Sequence, residues 1–126
     1  MVVRLLAGGR RERWRRFRRG SGKGTSVILG FLVNSDRHLA HVLGLTAAAA
    51  QKGHEVIIFV MDSGTRLLRD ERFVALAGAK GVSMSFCHHS AQQYEIDTDT
   101  LPPDVESGSQ LNNAAMNHQA ARVIVL

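Results

Sequence analysis

The segment from Gly81 to Ser90, GVSMSFCHHS, carries the residue types of this sequence that are best suited to nucleophilic chemistry. It contains the single cysteine of the chain, Cys87, followed directly by His88 and His89. A cysteine becomes a nucleophilic thiolate near neutral pH when a helix N-terminus or a protonated histidine stabilises its negative charge. The segment therefore predicts a reactive thiol, with Cys87 as the nucleophile and His88 or His89 holding a proton beside it.

The pattern around Cys87 predicts the elements that position this thiol. Val82, Met84 and Phe86 alternate with serines, which is the period of a half-buried strand. Residues 88–94 lack proline and glycine and are predicted to be helical, so Cys87 would lie between the end of a strand and the first turn of a helix. Because thiol exchange depends on access to the sulfur, we expect Cys87 to be at least partly exposed.

A metal site is the main alternative use of the histidines. Its ligands would come from Cys87, His88, His89 and His118. Adjacent histidines seldom bind one ion together, and no H-x-x-x-H spacing joins these residues. His38 and His41 stand three apart on a predicted helix, where an exposed face explains them. The sequence therefore predicts no metal and no cofactor.

The composition predicts one domain in a reducing compartment. A chain of 126 residues, 44% of them hydrophobic, can bury one core and leaves no room for a second domain. One cysteine excludes an internal disulfide and a thiol-only zinc site, which favours a cytoplasmic protein. No apolar run approaches the roughly 20 residues that a membrane span needs, so we expect no membrane insertion.

The positive charge is concentrated at the start of the chain. Residues 1–24 hold nine Lys/Arg and one acidic residue, whereas the rest holds seven basic and ten acidic residues. We interpret residues 1–24 as a basic, disordered extension and residues 25–126 as the domain. The extension could contact nucleic acid or another anionic surface nonspecifically, or act as a targeting peptide. Its GSGKGT run resembles a phosphate-binding loop, but lacks the preceding glycine and strand.

Strands and helices alternate over the remaining chain. The predicted strands cover residues 26–33, 54–61, 81–87, 104–106 and 122–126. The first predicted helix begins after Asp36 and ends at Lys52–Gly53, and the next two cover residues 67–80 and 88–94. The last predicted helix begins at a capping box of Ser107 and Gln110. This alternation indicates a mainly parallel sheet with helices on both faces. The ligand-binding or catalytic site of such a sheet lies at the carboxyl ends of its strands.

Polar residues follow several of these strands and are candidate ligand-binding residues. Asn34 and Asp36 come after the first strand, and Asp62 and Ser63 after the second. They would share one edge of the sheet with Cys87 and with residues 107–109. The same residue types also serve as helix caps and turns, which explains them without a ligand.

The order of these elements resembles the DsrE/DsrF-like family, which includes the TusD-type sulfur carriers. The resemblance rests on residues 52–56 (KGHEV) before the second strand, 80–82 (KGV) before the third, Cys87 at its end, and a closing helix followed by 122–125 (RVIV). It covers all but the basic extension. It implies a three-layer, flavodoxin-like fold with a five-stranded sheet, and assembly into homo-oligomeric trimers or hexamers.

The resemblance also implies a function. Family members with the cysteine carry sulfur on it as a persulfide, which makes Cys87 the expected site of a sulfur carrier or sulfurtransferase that exchanges sulfur with donor and acceptor proteins. Other members lack the cysteine and act as structural subunits. The alternative is therefore a non-catalytic scaffold subunit with an inert Cys87. A protein that acts on nucleic acid through the basic extension is a weaker third alternative.

Overall fold

The computed structural model describes residues 26–126, and the predicted basic extension at residues 1–24 lies outside the described residues. The described part contains five strands and four α-helices. They are β1 (Ile28–Val33), α1 (Leu39–Gln51), β2 (Glu55–Val60), α2 (Glu71–Ala75), β3 (Val82–Cys87), α3 (His88–Gln93), β4 (Val105–Gly108), α4 (Gln110–Gln119) and β5 (Arg122–Val125), with 3₁₀ helices at Asp62–Arg69 and Leu76–Gly78.

The five strands form one sheet in the order β4-β3-β2-β1-β5, and every neighbouring pair is parallel. β2 and β3 lie inside the sheet, and all residues of both strands are buried. Parallel strands need crossovers that cover the sheet with helices, which explains the near-continuous apolar runs of β1 and β2. The predicted flavodoxin-like α/β architecture is confirmed.

The two faces of the sheet are covered unequally. On one face, residues of α1, α2, α3 and the 3₁₀ helices form the larger core with Phe31, Val33 and Ile58. On the other face, α4 contributes Met116 to a smaller core with Ile57, Phe59 and Cys87. The helices therefore lie on both faces, and the cysteine belongs to the side that α4 covers.

The first helix ends as the sequence indicates, but the second is divided. Gly53, after α1, adopts a φ of 79°, the left-handed conformation that favours glycine at a helix end. The single helix predicted over residues 67–80 is wrong, because the chain becomes extended at Asp70. The Asp70 side chain accepts a hydrogen bond from the Arg72 N–H group and starts the short α2, and the predicted loop at residues 62–65 belongs to the first 3₁₀ helix.

The junction of β4 and α4 also differs from the prediction. The capping box is formed by Ser109 and Asn112, since the Ser109 side chain accepts from the Leu111 N–H group and the Asn112 Oδ1 accepts from the Ser109 N–H group at 3.0 Å. Ser107 instead lies within β4. This shift by two residues moves Gln110 from the third to the first position of α4. Among the helices of residues 26–126, none is long and apolar enough to cross a bilayer.

Candidate functional site

The carboxyl ends of β1, β2, β3 and β4 meet at one edge of the sheet, because all four strands run in the same direction. Cys87 is the last residue of β3, and its backbone lies opposite Gly108 at the end of β4. The next residue begins α3, so Cys87 is also the N-cap residue of that helix. The sequence-based placement of the thiol between a strand and a helix is therefore confirmed.

Polar groups surround the Cys87 sulfur and favour its ionised form. Burial opposes ionisation and is the largest influence, but it is outweighed by the Ser90 hydroxyl, the backbone N–H groups of Ser90 and His89 and the Gln110 side chain. Together these groups lower the pKa of the Cys87 thiol below its ordinary value. The Cys87 sulfur does not accept a capping hydrogen bond from the N–H groups of α3. The lowered pKa therefore results from several donors that lie near the sulfur.

Ser90 is held in position by the end of β2. Its side chain is buried, and its Oγ accepts a hydrogen bond of 3.0 Å from the Asp62 N–H group. Because this oxygen already acts as an acceptor, the hydroxyl hydrogen is free to point towards the Cys87 sulfur. The contact also connects Asp62, one of the predicted site residues, to the thiol through Ser90.

Gln110 approaches the sulfur from the start of α4. Its Nε2 lies 3.8 Å from the Met61 Sδ, directly after β2, and its side chain is one of the groups that lower the pKa of the Cys87 thiol. From the sequence, Gln110 was expected only to cap a helix, and its contact with the thiol was not predicted. The sequence does place Gln110 just after a strand that ends at the same edge of the sheet as Cys87. This position indicates a contact with the thiol only when β4 is known to be the neighbour of β3.

The thiol is more enclosed than the sequence analysis predicted. Cys87 is 6% exposed and belongs to the core that includes Phe59 and Met116. The expectation of a partly exposed sulfur is therefore wrong for the described part of the chain. The predicted half-buried β3 is wrong for the same reason, since Ser83 and Ser85, on the same side as Cys87, are also buried.

The two histidines lie beside the thiol in sequence but point to other surroundings. His88 and His89 are both exposed, and the His88 Nδ1 lies 3.4 Å from the Ser107 Oγ. Within residues 26–126, neither imidazole forms a hydrogen bond with Cys87, and neither ring is among the groups that lower its pKa. Only the backbone of His89 contributes to the thiol environment.

The remaining predicted ligand residues are spread along the edge. The Asn34 N–H group donates to the Leu126 carbonyl at 2.9 Å, next to β5. Asp36 accepts a contact of 3.4 Å from Arg66, which in turn lies over the ring of Tyr94. β1 is two strands away from β3, a separation of about 9.6 Å, so the structure does not bring Asn34 and Asp36 to the sulfur.

Asp62 and Ser63 lie at the end of β2, nearer to the thiol. Asp62 is exposed and has a φ of 48°, a left-handed conformation that aspartate tolerates better than most residues. Ser63, which follows it, is half-buried. Of the four predicted ligand residues, Asp62 is connected to the surroundings of the thiol, because its backbone N–H group donates to the Ser90 Oγ.

The described residues contain no group of three or more His, Cys, Asp or Glu side chains that could hold a metal ion. The rings of His38 and His41 meet edge to face at 5.6 Å on the exposed side of α1. This contact explains their spacing without a ligand.

We predict that Ser90→Ala slows the alkylation of Cys87 by iodoacetamide at pH 7 about threefold. A hydrogen bond to a charged group contributes about 1.5–3 kcal/mol, so its loss lowers the thiolate fraction about tenfold or more. The greater nucleophilicity of a more basic thiolate recovers about threefold of that loss, given a Brønsted slope of about 0.4–0.5. The pH–rate profile should move to higher pH, because the native environment lowers the thiol pKa.

The matched control for this measurement is Ser83→Ala. Ser83 is a buried serine on the same side of β3, but it is not among the groups that lower the pKa of Cys87. Its replacement should leave the alkylation profile unchanged. Equal rates for the native protein and Ser90→Ala across the pH range would contradict the role given to the Ser90 hydroxyl.

Comparison with solved structures gives the same fold. The chain aligns with the YchN protein of E. coli at a TM-score of 0.64 and 20% identity, covering 81% of this chain and 100% of that one. It aligns with MTH1491 of Methanobacterium thermoautotrophicum, a protein of unknown function, at a TM-score of 0.58 and 17% identity, covering 80% and 100%. A search of curated proteins found no match.

A family model identifies the chain more directly than these structural likenesses do. The model of the DsrE/DsrF-like family matches residues 29–126, which is nearly the whole described domain from β1 to β5. The matched residues include Cys87, the strand β3 and helix α3 between which it lies, and Gln110 of α4. The protein therefore belongs to the DsrE/DsrF-like family.

Proposed function

We propose that this protein is a cytoplasmic sulfur carrier, or sulfurtransferase, that holds sulfur as a persulfide on Cys87. The observation that supports this proposal is the group of donors around the Cys87 sulfur, which lowers the thiol pKa in spite of burial. A packing cysteine needs no such donors, because the neutral thiol is stable in an apolar core. Family membership suggests a role in sulfur relay.

The chemistry consists of two displacement steps at sulfur. The Cys87 thiolate attacks the outer sulfur of a donor persulfide, R–S–SH, so that a new S–S bond forms while the donor S–S bond breaks and R–S⁻ leaves. The product on the protein is Cys87–S–SH. An acceptor thiolate then attacks the outer sulfur, and Cys87 leaves as the thiolate. No external oxidant or reductant is required, because each step exchanges one S–S bond for another.

A lone cysteine suits this carrier chemistry. Cys87 is the only cysteine of the chain, so no neighbouring thiol can attack the persulfide and release its sulfur as the chain closes a disulfide. The donors that stabilise the thiolate would also stabilise Cys87 as a leaving group in the second step. The same site would therefore serve loading and unloading.

Access to the sulfur would come from the Gln110 side. Gln110 is exposed, and its amide contacts the thiol and the Met61 Sδ at the surface of the edge. An exposed side chain changes rotamer within picoseconds to nanoseconds, so this cover is easily displaced. Phe59 and Met116, which belong to the same core as Cys87, are almost completely buried and offer no such access.

The second candidate function is a non-catalytic scaffold subunit of the same fold. The observation in its favour is the 6% exposure of Cys87 and its place in the smaller core. In that case the cysteine is a packing residue and the protein acts through its surface. The two candidates differ in whether a donor can reach the sulfur.

Homo-oligomeric assembly, as a trimer or hexamer, is part of the proposal. β5 is an edge strand, and its residues Ile124 and Val125 are 37% and 59% exposed. Leu111 on α4 is a further exposed apolar residue. An exposed apolar edge strand favours pairing with another chain, and contact between subunits would bury it.

Native mass spectrometry of the full chain after incubation with cysteine persulfide tests both parts of the proposal. We expect the mass of three or six chains, with about 32 Da added per chain for one sulfur atom. The addition should map to the peptide that contains Cys87. An unmodified protein whose Cys87 also resists iodoacetamide would support the scaffold instead, and a single-chain mass would contradict the assembly.

A further inference from the structure

A groove separate from the thiol site lies between α2 with its flanking 3₁₀ helices and the loop of residues 95–104. It encloses about 710 Å³, which is within the range of pockets that bind ligands. Leu68, Val74, Leu101 and Pro102 supply its apolar surface. We call this feature the acidic groove, because carboxylates line the rest of it. None of its lining residues belongs to the core around Cys87 or to the groups that lower the pKa of that thiol.

Most carboxylates of the acidic groove have no cationic partner in the part of the chain that the structure describes. Five of the ten acidic residues of 25–126 line it, against one arginine, Arg69. Asp70 is paired with Arg72 at 2.9 Å. Within residues 26–126, the other four form no ion pair: they are Glu71, Glu95, Asp97 and Asp104, and all are exposed.

Arg69 offsets only one of these five negative charges. Its guanidinium donates to the carbonyl oxygens of Tyr94 and Glu95 at 3.4 and 3.3 Å, so it is engaged with the backbone beside the groove. The result is an apolar surface bordered by an excess of negative charge. A segment that presents guanidinium groups together with large apolar side chains complements both properties, because arginine binds carboxylates while its stem covers apolar surface.

The chain itself contains such a segment. Residues 1–24 hold nine Lys/Arg and one acidic residue, interleaved with Trp14 and Phe17. An extended segment of this length reaches about 80 Å, whereas a domain of about 100 residues has a radius of gyration of about 13 Å. The segment can therefore reach the acidic groove from the start of β1.

We propose that residues 1–24 dock in the acidic groove of the same chain, with arginines against its carboxylates and an aromatic side chain on its apolar surface. A short tether gives an effective concentration on the order of 1 mM. Even a contact with a dissociation constant of about 0.1 mM would then be occupied about nine-tenths of the time. This docking goes beyond sulfur transfer and does not depend on it.

Trp14 reports on this docking directly, because it is the only tryptophan of the chain. In the full chain at low salt, we expect Trp14 to be protected from quenching by acrylamide. The quenching constant should rise about threefold or more in about 0.5 M salt, which screens exposed ion pairs. It should rise similarly in the double variant Asp97→Asn/Asp104→Asn, since each exposed ion pair changes a binding constant by up to about fivefold.

Both substitutions keep the shape of the side chain, and an asparagine at 97 can still accept from the Asp99 N–H group. The matched control is Asp36→Asn/Asp62→Asn, which removes the same charge outside the groove. It should leave the quenching of Trp14 as in the native protein. Far-UV circular dichroism of the three proteins should coincide.

Three results would overturn the proposal. Trp14 could be quenched equally in the native protein, in high salt and in the groove variant, which would show that it is not docked. Protection that is the same in the groove variant as in the native protein would place the segment elsewhere. Protection that is lost on dilution would assign the groove to the segment of a second copy.

Discussion

Replacement of Cys87 by serine is expected to abolish the persulfide adduct completely. Serine nearly preserves the volume of cysteine, but its hydroxyl does not attack sulfur under these conditions. Since Cys87 is the only cysteine, no other thiol of the chain can substitute for it. The stability of the variant should stay within about 1 kcal/mol of the native protein, because a hydroxyl at this position has several polar neighbours. Intact mass after exposure to cysteine persulfide measures the loss.

A relocated thiol provides the control for position. In the double variant Cys87→Ser/Ser85→Cys, the only thiol moves two residues back along the same face of β3, about 7 Å from its native place. Residue 85 lies opposite Phe59 and Glu106 and does not precede a helix. Alkylation and adduct formation should be at least tenfold slower there, given the dependence of exchange on thiolate and access. Equal modification of both positions would mean that the surroundings of Cys87 contribute nothing.

The substitution Gly64→Ala is expected to destabilise the fold by about 3 kcal/mol or more. A Cβ atom at this position would overlap the Val33 carbonyl oxygen and lie 2.9 Å from its carbonyl carbon. That oxygen accepts a hydrogen bond of 2.9 Å from the Met61 N–H group, so the backbone cannot move aside without breaking a contact between β1 and the end of β2. The midpoint of urea unfolding should fall accordingly.

Gly44 offers the opposite result for the same chemical change. It lies in the exposed part of α1, and a Cβ there meets nothing within 4 Å. Gly44→Ala should therefore stabilise the protein by about 0.5–1 kcal/mol, the difference in helix propensity. If both alanine variants unfolded at the same urea concentration, the close approach of Gly64 to β1 would have no effect on the free energy of unfolding.

The elements around the thiol could be predicted from local sequence. The β-rich runs before Val33, Val60 and Cys87, and the polar or glycine residues after them, mark strand ends because few other structures suit those patterns. The family resemblance, now shown over residues 29–126, implied the same number of strands as the residue pattern predicts. Parallel pairing then follows from the alternation of strands with helices.

The enclosure of Cys87 could not be predicted in the same way. The serines of β3 suggested an exposed face, but α4 reaches back across the sheet and covers the side on which they lie. Gln110 contacts the thiol because β4 is the neighbour of β3, and that order depends on tertiary packing. The local pattern of residues indicates which segment can form a strand. It contains little information on which helix packs against that strand.

Turn and cap chemistry was predictable in kind but not in exact position. Residues 107–112 contain several side chains that can cap a helix, and Ser109 with Asn112 forms the box because β4 continues through Gly108. Similarly, the apolar spacing of residues 67–77 suits one long helix, whereas the extended conformation of Asp70 divides it. In both places the local sequence suits two arrangements, and its pattern alone does not distinguish between them.

The junction of β4 and α4 has a consequence for control of the sulfur. β4 is bonded to β3 on one side only, and its last residue, Gly108, lies opposite Cys87. The hydrogen bonds of the Ser109–Asn112 box join the end of this outer strand to the turn that carries Gln110. A molecule that binds along the outer edge of β4 would therefore shift the Gln110 amide next to the sulfur, and under the proposed function this edge would control the loading and release of sulfur.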